Sequence, residues 1–191
     1  GVVIKTIVTT EGARKIAEGY GVEIMDVLTG FKYIGEKIQQ FNTTGDKKYI
    51  FGFEESYGYL AGEFVRDKDA VIASMLIAEM TLYYKNKGMS LYEALIKLYE
   101  RIGFFKEELV SLELKGKEGA EKISACIDSL RHEALTEVDG VKVKTKLDYK
   151  LKVEENLLTS EKKDINLPTS NVLKYILEDG SYFVVRPSGT E

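Results

Sequence analysis

Apolar and polar residues change their period several times along this chain, and each change predicts an element. VVIKTIV at 2–8 is a continuous β-branched run, as in a buried strand. In TTEGARKIAEGYG, Ala13, Ile16 and Ala17 share one helical face, with Thr10 placed to cap and Gly21 to stop the helix. VEIMDVL (22–28) predicts a second strand. FKYIGEKIQQF (31–41) predicts a second helix, with Ile34, Ile38 and Phe41 at helical spacing. KYIFGF (48–53) is a short third strand that runs into the Gly-bounded segment GFEESYG. Strand, helix, strand, helix, strand at this spacing predicts an α/β domain with parallel crossovers. Asp69 can cap a helix from Ala70 to Tyr84 that is apolar nearly all round, which predicts burial on most sides. Ser90 with Glu93 forms a capping box. It opens a helix that turns Leu91, Leu95, Leu98 and Ile102 inward and ends at Gly103, where the first domain (1–103) is expected to close.

The second half has another rhythm. FFKEELVSLELKG (104–116) alternates like a half-exposed strand, and 118–134 is helical by period, with Ile123, Ile127, Leu130 and Ala134 along one side. VDGVKVKTKLDYKLKV (138–153) sets Val141, Val143, Thr145 and Leu147 against lysines, the pattern of an antiparallel strand with one wet face. Residues 154–168 are polar and read as loop. VLKYIL and SYFVVR flank an Asp179-Gly180 hairpin signal. These elements predict a small α+β second domain over 104–191.

Composition narrows the function classes. A net charge of −4 and a pI near 5.3 disfavour a sequence-independent nucleic-acid binder, which needs a basic face. One cysteine and one histidine exclude a disulfide framework and a closed zinc site, and a reducing, cytoplasmic setting is expected. The longest apolar run, AVIASMLIAEMTLYY, is broken by Glu79 and falls short of the ~20 residues of a membrane span, so no membrane partner is expected. The chain starts inside an apolar strand pattern and stops in RPSGTE, and it is read as a piece of a longer polypeptide.

Candidate chemistry concentrates in three loops. Arg14, Arg101 and Arg131 fall in predicted helices and read as solvated faces, as does His132, whereas Cys126 reads as a small core residue. Arg186, in RPSGT after a strand, brings a rigid fork of donors together with two hydroxyls and backbone N–H groups, the inventory of an anion-holding turn. A plain turn is the alternative. GFEESYG sets two carboxylates beside an apolar strand end, where they could accept hydrogen bonds from sugar hydroxyls; the alternative is an exposed acidic loop. It is no P-loop, because no Gly-Lys-Ser/Thr follows. In Arg66-Asp67-Lys68-Asp69, Asp69 reads as a helix cap, Lys68 opposes a metal between Asp67 and Asp69, and Lys68 could move a proton if its pKa were lowered.

KTIVTT, LTGFKYIGEKI, GFEESYG, RDKDAV and SNVLKYILEDGSYFVVRPSGTE, in this order, resemble the α-D-phosphohexomutase superfamily, specifically its bacterial phosphoglucomutase/phosphomannomutase group. The resemblance implies an α/β fold: a third-domain mixed α/β sandwich followed by a smaller, truncated α+β fourth domain. It implies that Glu54 and Ser56 bind sugar hydroxyls and that Lys68 acts as acid or base near the reacting oxygen. It further implies that Arg186, Ser188, Gly189 and Thr190 grip the phosphate that is not transferred, and that Phe31, Lys32 and Lys5 line the cleft. The implied activity is interconversion of hexose 1-phosphate and hexose 6-phosphate through a phosphoserine and a hexose 1,6-bisphosphate, with Mg²⁺. The family's phosphoserine loop and DGDxDR metal loop are not in this sequence, so its metal ligands and its partner N-terminal domains are expected elsewhere in the same polypeptide and the chain alone is expected not to catalyse. The EES-Tyr-Gly form favours glucose, with mannose and pentose phosphates left open. A natural, non-catalytic sugar-phosphate-binding module is the rival reading.

Overall fold

A computed structural model of the chain describes residues 1–133 and 135–187. It divides into two compact units, Gly1–Glu108 and Leu109–Glu191.

The first unit is an α/β layer structure. Strands β1 (Val2–Thr6), β2 (Glu23–Val27), β3 (Tyr49–Phe53) and β4 (Tyr59–Ala61) form one sheet in the order β2-β1-β3-β4. β1 is parallel to β2 and β3, and β4 closes the edge antiparallel to β3. Helix α1 (Gly12–Gly19) connects β1 to β2, and α2 (Phe31–Thr44) connects β2 to β3. The first crossover runs from β1 out to the edge strand β2 and the second runs back past β1 to β3, so right-handed connections put the helices on opposite faces. The α2 face is a dry core. Val2, Ile4, Val27, Tyr49 and Leu60 from the sheet meet Phe31, Ile34, Ile38 and Phe41 from α2. Gly52 permits this approach, because a Cβ there would lie 2.8 Å from Ile34 Cγ2 and 2.6 Å from the Tyr49 hydroxyl. On the α1 face Lys5 is fully buried, and its ammonium group lies 3.0 Å from both Glu11 and Asp26.

Helices α3 (Ala70–Asn86) and α4 (Leu91–Ile102) complete the unit. The α3 cap forms as expected, with the Asp69 carboxylate accepting from Val71 and Ile72 N–H, and Ser90 and Glu93 close their reciprocal box on α4. The expected burial of α3 is not observed, since none of its side chains is buried within this chain. β4 is an addition that the sequence pattern does not announce, being three residues long and set inside a loop-like segment.

The second unit packs helix α5 (Gly116–His132) on an antiparallel sheet of order β10-β9-β6-β7-β8, with β5 paired to β6. Its strands are β5 (Glu137–Val138), β6 (Val141–Asp148), β7 (Val153–Asn156), β8 (Lys162–Asp164), β9 (Leu173–Leu177) and β10 (Tyr182–Val185). Ile127 of α5 meets Val143, Leu173 and Tyr175 in the core. Three local expectations change here. The alternating run 104–116 forms no strand, and its Leu109, Val110 and Leu112 stay exposed. The polar stretch 154–168 contains the β7–β8 pairing, in which Glu154 faces Lys163 and Glu155 faces Lys162, so cross-strand opposite charges take the place of an apolar face. Cys126 is exposed, one position off the Ile127 face.

Arg131 also departs from expectation. It is a buried anchor with its guanidinium 2.9 Å from Asp148, 2.9 Å from Asp128 and 2.7 Å from the Asn171 side-chain oxygen. Beside it the α5 C-terminus is satisfied from the sheet, because Tyr175 donates to the Leu130 carbonyl at 2.6 Å and Lys146 to the Leu130 and Arg131 carbonyls. Burial lowers the Lys146 pKa.

Candidate functional site

The GFEESYG-loop residues of the first unit gather where β3, β4, α2 and the start of α3 meet. β3 ends at Phe53, and the next residue, Glu54, donates its backbone N–H to the Gly58 carbonyl at 3.0 Å, closing a tight loop. Tyr57 at the loop's turn has φ +61° and is 85% exposed. β4 then pairs back on β3. The Asp69 N–H donates to the Tyr59 carbonyl at 2.9 Å and pins the RDKD segment beside the loop.

The result is a buried carboxylate facing an exposed cation. Glu54 is 8% exposed, and the Lys68 ammonium group lies 3.8 Å from its Oε1. Lys68 also lies 3.0 Å from Asp67 and 5.4 Å over the Phe31 ring. Gly58 makes room for this pairing, since a Cβ there would meet Lys68 Cδ at 2.5 Å and Glu54 Oε1 at 2.7 Å. Among the described residues no side-chain hydrogen bond occupies the Glu54 carboxylate, whose nearest cation is Lys68. Its neighbour Glu55 is committed differently. Glu55 Oε2 accepts from the Thr6 hydroxyl at 2.8 Å and lies 3.4 Å from that of Thr9, tying the loop to the end of β1. Ser56 is exposed at the loop tip.

Electrostatics define the role open to Lys68. Its hydrogen bond to Asp67 raises its pKa against the opposing effect of burial, and the same contact lowers the pKa of Asp67. The lowered pKa considered for Lys68 is therefore not found, and the residue stands as a charged donor. The acidic charge nearby is answered by an ammonium group. Among the described residues no group of three or more His, Cys, Asp or Glu could hold a metal ion. These residues do not fit a Mg²⁺ cage.

Not every expected residue joins the cluster. Phe31, the first residue of α2, lies under Lys68. Lys32 is exposed, with its ammonium group 4.8 Å from the neighbouring Tyr33 ring. Lys5 does not line a cleft: it is sealed beneath the sheet end by Glu11, Asp26 and the Thr9 carbonyl at 3.0 Å. In the second unit, Arg186 is exposed directly after β10, and Ser188, Gly189 and Thr190 lie outside the described residues. Sequence reasoning overlooked the Glu55 anchor. The paired hydroxyls Thr9 and Thr10 after an apolar strand were its available signal, but Thr6 lies within the strand and gave none.

A mixed, largely parallel sheet flanked by helices, followed by an antiparallel sheet carrying one helix, defines an α/β class of protein. The chain belongs to the phosphoglucomutase/phosphomannomutase family: residues 1–102 match its model of the alpha/beta/alpha domain III. Curated relatives include the phosphoglucomutase of Staphylococcus saprophyticus, 37% identical over 189 residues, which cover 98% of this chain and 34% of that protein. That of Staphylococcus aureus strain RF122 is 39% identical over 188 residues, again 98% of this chain and 34% of the relative. The chain thus spans about a third of the length of the curated relatives it matches. In fold it is similar to the open form of the exocytosis-sensitive phosphoprotein parafusin, a phosphoglucomutase from Paramecium, with a TM-score of 0.57 and 19% identity over 99% of this chain and 30% of that one. No helix among the described residues is long and apolar enough to cross a membrane.

Proposed function

We propose that this chain supplies the sugar- and phosphate-holding part of a phosphohexomutase that interconverts glucose 1-phosphate and glucose 6-phosphate, and that it is not catalytic by itself. Residues 104–191 are read as the family's fourth domain. The observation that carries the reading is the buried Glu54 carboxylate, free of side-chain hydrogen bonds among the described residues and faced by the Lys68 ammonium group at 3.8 Å. A buried carboxylate is costly unless hydrogen-bonded, and vicinal sugar hydroxyls supply donors to it. Ser56 adds a hydroxyl that can both donate and accept.

Lys68 stands beside the sugar as a protonated donor. It can stabilise charge developing on the hydroxyl that receives or releases the phosphoryl group, and it can deliver a proton to that oxygen. Arg186, with Ser188, Gly189 and Thr190, offers a phosphate grip through a two-pronged fork. A hexose bisphosphate presents a phosphate at either end, so a phosphate grip of this kind can serve both orientations. In this reading Mg²⁺ and the phosphoserine are assigned to the remaining two thirds of the full-length protein, where a bound metal would supply charge neutralisation for phosphoryl transfer.

The Arg186 series tests this reading in the full-length protein that carries the chain. A charge-assisted hydrogen bond contributes roughly 1.5–3 kcal/mol. Arg186→Ala should therefore weaken glucose phosphate binding by roughly ten- to a hundredfold, and Arg186→Lys should recover part of the loss, because a point charge lacks the fork. Unchanged affinity and turnover in Arg186→Ala would make the RPSGT turn merely a turn.

A further inference from the structure

The 17-residue helix α3 poses a physical problem that this chain does not solve. Its sequence, AVIASMLIAEMTLYYKN, carries only Glu79 and Lys85 as charges, yet none of its residues is buried. Val71 (81%), Met75 (50%) and Leu82 (58%) are exposed along one side. At 100° per residue these positions fall within about 40° of one another. Leu76, Met80 and Tyr83 are exposed along a second side, 120° to 180° around by the same rule. A helix that is apolar on both sides is a buried helix, and a soluble protein does not leave such a surface open.

We infer that α3 is a docking helix, enclosed by the part of the mutase polypeptide that this chain lacks. This rests on the reading of the chain as one portion of a longer mutase. Two observations choose that occupant. The chain accounts for 34% of the length of its phosphoglucomutase relatives, so about two thirds of such a protein remains to be placed. The family model matched by residues 1–102 is that of a third domain, so two further domains share its polypeptide. The occupant must be apolar and must reach both sides of the helix. A domain joined to the chain covalently meets this requirement at high effective concentration, without needing a large affinity of its own. The Asp69 cap places the start of α3 directly after Lys68, so enclosure of the helix would also fix the approach of the site lysine.

The test is thiol labelling. In a Cys126→Ser background, Met75→Cys and Met80→Cys are placed singly on the two sides of α3, with Tyr20→Cys, 71% exposed in α1's C-terminal turn, as the reference. Maleimide labelling is followed in the chain alone and in the full-length polypeptide, with sedimentation run at the labelling concentration. Both α3 thiols should label at the rate of the reference in the chain as a monomer. In the full-length protein they should slow by about tenfold or more relative to that reference, since reaction then requires local opening. Equal labelling in the two settings would overturn the inference. Protection already present in a self-associated chain would overturn it in favour of a second copy, and protection in the monomeric chain would show that the chain covers its own helix. No ligand enters this readout, so its failure is separate from a failure of the binding experiments on Arg186.

Discussion

Replacing Arg131 with alanine should strongly destabilise the antiparallel unit, although the residue lies outside the candidate site. The guanidinium is 4% exposed and joins the end of α5 to Asp148 at the end of β6 and to Asn171 just before β9. Truncation removes three hydrogen bonds and leaves the Asp148 carboxylate, 5% exposed, without its cation. Breaking a buried pair costs about 3–5 kcal/mol. Asp148 Oδ1 still accepts from Lys150 and Leu151 N–H at 2.9 and 3.1 Å, so only Oδ2 is orphaned and the lower end, about 3 kcal/mol, applies. For a unit of this size that corresponds to a fall in Tm of about 12–24 °C. Amide exchange across Leu173–Leu177 together with urea unfolding by circular dichroism would measure it. Arg131→Met combined with Asp148→Asn removes both charges but keeps an oxygen for the two N–H donors, and it should restore most of the loss. A change below about 1 kcal/mol in Arg131→Ala would refute the reasoning, because a desolvated pair cannot be cut so cheaply.

Two further perturbations probe the first unit. Burial, with help from Glu63, holds the Tyr49 phenol well above its ordinary 10.0, so the neutral form is favoured by the fold. The associated stability is complete below pH 10 and is lost as pH rises toward the folded-state value; Tyr49→Phe should flatten that alkaline decline of the urea midpoint while costing about 1 kcal/mol at pH 8 for the lost bond to the Leu60 carbonyl. An alkaline slope unchanged in the variant would contradict this. Gly58→Ala meets no positive-φ penalty but places a methyl 2.7 Å from Glu54 Oε1, so it should weaken hexose phosphate binding by about tenfold, as overpacking by 1–3 kcal/mol implies, with calorimetry as the check.

Legibility in the sequence followed the physics of each segment. The parallel core was readable because Ile34, Ile38 and Phe41 repeat at helical spacing between β-branched runs. The caps at Asp69 and Ser90 were readable because their bonds are local. Arg131 was not. Its partners Asp148 and Asn171 lie 17 and 40 residues away, and nothing in a helix period distinguishes a buried arginine from a solvated one. The β7–β8 pairing was hidden because Glu–Lys pairs, rather than apolar alternation, face one another across it. At the candidate site, GFEESYG announced carboxylates but not their division of labour. Glu55 turns to Thr6 and Glu54 to Lys68 only because β1 ends beside β3, a fact of sheet order.

The central claim, that Glu54 holds sugar hydroxyls beside Lys68, is tested most directly by calorimetry on the full-length protein with two ligands. Glucose 6-phosphate carries both hydroxyls and phosphate, whereas inorganic phosphate carries no sugar. Glu54→Gln keeps the shape of the side chain but removes the charge that strengthens its hydrogen bonds, so affinity for glucose 6-phosphate should fall by about ten- to a hundredfold. Affinity for inorganic phosphate should be unchanged. Equal affinity of the variant and the parent for glucose 6-phosphate, or an equal loss for both ligands, would contradict the account.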